Sequence, residues 1–137
     1  MKIATLIGFL ASFISISAFA APSSVENRLT GMKVPPAVLT VARGLDKAVE
    51  SFEQNQTDCG ILSTLQTDLS IIAVAYVQDG QKKIHFAEVE VAVSKAKGAC
   101  LMGPATLIDP ATYKKYILDN LSIAGDAFVD LVKEMGF

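Results

Sequence analysis

The chain has 137 residues, with 12 Lys and Arg against 14 Asp and Glu, one His, two Cys, no Trp and a formal net charge of −2. With no low-complexity stretch and no obvious repeat, neither a disordered nor a solenoid class is expected. Dispersed lysines in a slightly acidic chain leave no electrostatic footprint for nucleic acid, and no basic amphipathic face points to an anionic membrane.

The first twenty residues read as a cleaved signal peptide. Lys2 supplies the positive end, residues 3–16 are uncharged and mainly apolar, and Ala18-Phe19-Ala20 forms a small-x-small cleavage pattern before Ala21-Pro22. That apolar core is shorter than the roughly 20 residues of a membrane span. No later segment reads as a stop-transfer span, and the charged C-terminus lacks the tail of a lipid-anchor signal. Removal of residues 1–20 leaves 117 residues, enough for one core but not two. With Lys2 gone, 11 basic and 14 acidic side chains give −3. The expected location is secreted: extracellular or cell wall, or periplasm in a bacterium.

Residues 21–33 are polar and are expected to form a flexible arm, with a single helical domain over 34–137. Pro35-Pro36 suits a helix start, because proline tolerates the first turn and not the interior. Val34, Val38, Val41, Leu45, Ala48 and Phe52 then follow at spacings of 4, 3, 4, 3, 4, the apolar stripe of an amphipathic helix. Arg43, Asp46, Lys47, Glu50 and Glu53 are assigned to its solvated face.

Thr57 or Asp58 can cap a second helix, in which Leu62, Leu65, Leu69, Ile72 and Tyr76 repeat at 3, 4, 3, 4. Asp79-Gly80 ends it. A third helix over about 82–97 carries Phe86, Val89, Val93, Ala96 and Cys100, with Gly98 placed to stop it. A rival reading exists for residues 70–93. Ile71 to Val77 and Ile84 to Val93 are rich in β-branched residues around an Asp-Gly turn, which is a hairpin signal. After a connector containing Gly103-Pro104, Asp109-Pro110 gives a cap followed by proline at the first helical position. The last helix bears Tyr113, Ile117, Leu121, Ala124, Phe128, Leu131 and Met135. Gly125 inside it costs up to about 1 kcal/mol relative to Ala and permits close helix approach. The expected fold is therefore all-α, an antiparallel four-helix bundle with one disulfide. The alternative is an α+β fold with the hairpin at about 70–93.

Cys59 lies 21 residues before Gly80 and Cys100 lies 20 after it. A chain folded back at Gly80, as helices or as strands, brings them together. In an exported domain that favours a disulfide. Neither CxxC spacing nor a Cys/His cluster supports a redox or metal role.

Catalytic chemistry finds no constellation. His85 has Glu88 one turn away, but a di-iron site needs two Glu-x-x-His segments with further Glu ligands. No Ser/His/Asp signature or phosphate-binding Gly loop occurs. Glu88 and Glu90 point apart on a helix, while Asp126 and Asp130 share a face as solvated acidic pairs often do. The reading is a non-enzymatic protein with no cofactor and no metal. Asn55-Gln56-Thr57 and Asn120-Leu121-Ser122 are glycosylation sequons, making Asn55 and Asn120 candidate sites if the source is eukaryotic.

Ala48, Ala96 and Ala124 put small side chains on the stripes beside Phe52, Tyr76, Phe86 and Phe128. These allow either close helix approach or an apolar pocket lined by the four aromatics.

Residues 39–52 (LTVARGLDKAVESF), followed by Ile61-Leu62-Ser63-Thr64-Leu65, resemble the first helix of the fungal hydrophobic-surface-binding and cell-wall galactomannoprotein family. The resemblance implies an exported helical protein that binds hydrophobic surfaces or lipids. It carries over no functional residue, and the Cys59/Cys100 pair departs from the family pattern. The expected function is thus a secreted helical protein with an apolar ligand or surface as its partner. The alternative is a secreted effector or inhibitor acting on a protein partner.

Overall fold

The computed structural model describes residues 24–56, 58–103 and 109–137. Residues 1–20, the arm as far as 23, Thr57 and the Pro104 connector lie outside this set. The described chain is all-helical, with no strand. Its elements are α1 (Val25–Arg28), α2 (Pro36–Glu53), α3 (Cys59–Tyr76), α4 (Gly80–Met102) and α5 (Pro110–Met135).

Local chemistry accounts for the boundaries. Pro35 and Pro36 open α2. The Asp58 carboxylate accepts from the Gly60 N–H at 3.0 Å to cap α3. Asp79 caps α4 through the Lys82 N–H at 3.1 Å, and Asp109 caps α5 through the Thr112 N–H at 2.9 Å. A carboxylate so placed satisfies an orphan N–H and faces the positive end of the helix dipole. The hydrogen bond from the Lys82 side chain, followed by that from its backbone N–H, holds Asp79 below the ordinary aspartate pKa. For Asp109 the Thr112 backbone N–H is the largest cause and the Thr112 hydroxyl the next.

The four long helices turn their heptad stripes inward as the spacing requires. Val38, Val41, Leu45, Ala48 and Phe52 from α2 meet Leu62, Leu65, Leu69 and Ile72 from α3 in one core. Phe86, Val89, Val93, Ala96 and Cys100 from α4 join Ile117, Leu121, Ala124, Phe128 and Leu131 from α5. Val34, Tyr76, Tyr113 and Met135 are half-buried at the margins. Helix α5 lies between α2 and α4, and α3 also touches both of those helices. The α4–α5 seam is the most extensive. Ala92 and Ala96 of α4 and Ala124 and Ala127 of α5 are buried, and small side chains permit close helix approach.

Three expectations are corrected. The flexible arm over 21–33 is docked within its described part. The Asp46 carboxylate accepts from the Val25 N–H at 2.7 Å and the Glu26 N–H at 3.0 Å. Val25 and Leu29 are buried, and Arg28 reaches Asp126 at 2.9 Å. A Cβ on Gly125 would sit 3.0 Å from Val25 Cγ2, so this glycine admits α1 against α5. The second correction is the end of α4. Gly98 lies inside the helix, which ends at Gly103 with φ +72°, a conformation suited to glycine. Third, the hairpin alternative fails, because residues 70–76 and 80–93 are helical. In addition, α3 does reach the length and mean hydropathy (1.3) of a membrane span. Its Leu62, Leu65, Leu69 and Ile72 are nevertheless buried in the protein core.

Candidate apolar binding groove

Cys59 and Cys100 form a disulfide, with Cα atoms 5.8 Å apart. It ties the start of α3 to the end of α4, opposite the short turn at 77–79. The Tyr113 hydroxyl donates to the Cys100 carbonyl at 3.4 Å, so α5 braces the same corner.

The four aromatics do not converge on a pocket. Phe52, Phe86 and Phe128 are core residues. Tyr76 packs edge-on against Phe137 with ring centroids 5.5 Å apart. That pair, with Met135 and Lys82, borders a shallow depression of about 260 Å³. The small stripe residues Ala48, Ala96 and Ala124 are fully buried, as is Phe128.

His85 is satisfied on both ring nitrogens. Nδ1 lies 3.2 Å from Glu88 Oε1 and Nε2 lies 3.3 Å from the Gln81 amide. Asp126 is engaged by Arg28. Among the described residues no group of three or more His, Cys, Asp and Glu side chains is placed to hold a metal.

The two sequons fare differently. Asn55 is exposed at a turn with φ +61°, although Thr57 of its triplet lies outside the described residues. Asn120 is buried, and its Nδ2 donates to the Tyr116 carbonyl at 2.9 Å. That amide nitrogen is the atom a glycan would need, so the folded position does not suit modification.

The distinctive surface runs along the outside of the α4–α5 seam. One depression of about 480 Å³ is lined by Ile84, Ala87, Val91 and Ala92 of α4 and by Asn120 and Ile123 of α5, with Glu88 and Lys95 at its sides. A second, of about 410 Å³, continues through Gly98, Ala99 and Met102 to Tyr113 and Tyr116. Lys95 borders both, so the two adjoin at that lysine and together make a groove along roughly 27 Å of α4, from Ile84 to Met102 at 1.5 Å per helical residue. Ile84, Val91 and Ile123 are each more than half exposed, and Met102 is 82% exposed. Apolar side chains gathered this way, bordered by charge, mark an interaction surface.

This groove escaped the heptad reading, although a signal for it exists. Ile84, Glu88, Val91, Lys95, Gly98 and Met102 recur at 4, 3, 4, 3, 4 and are all exposed. Helix α4 therefore carries two stripes, one inward and one outward.

No family model, curated protein or solved structure matches the chain. The class defined by the fold and surface is an all-α protein, stapled by one disulfide, with an outward apolar groove between its two longest helices.

Proposed function

We propose that the chain is an exported, non-enzymatic helical protein that takes an apolar ligand or hydrophobic surface in the α4/α5 groove. The observation that carries this is the mainly apolar lining of that groove, where Ile84, Val91, Ile123 and Met102 remain solvated. Covering them removes apolar area from water at about 25 cal/mol per Å². The residue 1–20 signal and the Cys59–Cys100 disulfide support export, since such bonds persist in oxidising compartments. The likeness of residues 39–65 to the hydrophobic-surface-binding family points the same way. The pairing of α3 with α4 across a short turn, and the placing of α5 between α2 and α4, support an antiparallel four-helix bundle. In that arrangement α1 is an added clasp.

A fluorescent fatty-acid analogue displaced by unlabelled long-chain fatty acid tests the reading. Material recovered outside the cell is expected to begin at Ala21 on N-terminal sequencing. It should bind the analogue saturably. Val91→Glu, at a position that is already exposed, should leave the fold intact and weaken binding about tenfold, by placing a charge in the apolar lining. No displaceable binding, or equal binding by the variant, would overturn the assignment.

A further inference from the structure

The outward face of α4 carries one carboxylate and one ammonium at the edge of its apolar residues. Glu88 and Lys95 sit seven residues apart, flanking Val91 and Ala92, and both line the groove. Reversing the helix about the midpoint between Val91 and Ala92 exchanges the two charges. We propose that a second copy of this chain covers the groove, α4 against α4 in antiparallel orientation, as an isologous two-fold pair.

In that pair the Glu88 carboxylate of each copy lies beside the Lys95 ammonium of the other, twice over. A parallel pairing would set Glu88 against Glu88 and Lys95 against Lys95, and like charges across an interface are disfavoured. Among the described residues Lys95 has no ionic partner, while Glu88 is held by His85 alone. The 4, 3, 4, 3, 4 spacing from Ile84 to Met102 keeps three apolar residues, Ile84, Val91 and Met102, on one outward face with the two charges. Open space surrounds the place where a Gly98 Cβ would stand, so backbone can approach closely there. Ile123 of α5 widens the apolar contact on one flank, as an interface needs beyond a single helix edge. A two-fold axis also closes the assembly at two copies. This inference goes beyond the ligand reading and stands without it, although pairing and ligand would compete for one face.

Light scattering and sedimentation equilibrium on the purified, disulfide-intact protein test the pairing. The wild type is expected to show a concentration-dependent monomer–dimer equilibrium. Glu88→Lys and Lys95→Glu should each weaken dimerisation by at least about tenfold, by creating two like-charge contacts. The combined Glu88→Lys and Lys95→Glu protein should recover it, because the exchange restores complementarity. Both positions are exposed, so circular dichroism should show intact folding in every variant. A wild type that stays monomeric overturns the proposal. So do single variants that dimerise as well as wild type, or a combined variant that fails to recover. Uptake of the fatty-acid analogue by wild type, at a dilution where it is monomeric, separates the two readings, since the ligand reading needs no second copy.

Discussion

Replacing Cys59 and Cys100 together is expected to lower stability by about 4 kcal/mol and the melting temperature by roughly 15 °C. The closed loop spans 41 residues, and opening it returns that much conformational freedom to the unfolded chain. The native helices lose little direct contact, so the effect falls mainly on the unfolded state. Position matters as well as loop length. The 77–79 turn already joins α3 and α4 at one end, and the disulfide secures the other. Cys100 is buried, so serine there would add the cost of an ill-placed hydroxyl, and the Cys59→Ala, Cys100→Ala pair gives the cleaner measure. Urea unfolding of wild type with and without reductant, beside the double-alanine variant, reads the effect. Reduced wild type and the variant should share a midpoint well below that of the oxidised protein. A midpoint indifferent to reductant would remove the disulfide from any role in stability.

The inward heptads were legible because each helix buries one stripe, and burial at a period near 3.5 leaves a direct trace in the sequence. The clasp was not. Residues 21–33 look polar taken alone, and what docks Val25 is a carboxylate twenty-one residues away in α2. A local reading placed Asp46 on a solvated face and had no means to see the backbone donors that would find it. The hairpin alternative arose from a real feature. It rested on β-branched residues around Asp79-Gly80; Val89 and Val93 face inward while Ile84 and Val91 face outward, so two apolar faces on one helix gather the β-branched residues expected of a strand. The same double face defines the candidate groove, so the ambiguity and the site share one origin. Gly98 misled for a related reason. On an exposed stripe a glycine costs helix stability without ending the helix.

Phe128→Ala is expected to cost about 4 kcal/mol, comparable to loss of the disulfide but by a different route. Phe128 has no exposed surface and is the largest of the fully buried side chains in the shared core. Truncation removes its transfer free energy and leaves a void that the surrounding helices can only partly fill. Phe86, at the margin with 9% exposure, should cost less when truncated, because solvent and neighbouring side chains can occupy the space. Denaturant midpoints for Phe128→Ala and Phe86→Ala test the ranking, and equal losses would contradict the greater weight given to the fully buried Phe128. The same variant bears on where an apolar ligand goes. If binding uses the outer groove, the fatty-acid analogue should bind folded Phe128→Ala as it binds wild type and should bind Val91→Glu poorly. If instead ligand enters between the helices, the enlarged interior of Phe128→Ala should tighten binding while Val91→Glu leaves it unchanged. Phe128 is buried in the core and Val91 is exposed on α4, so the effects of the two substitutions on affinity assign the ligand to the interior or to the surface groove.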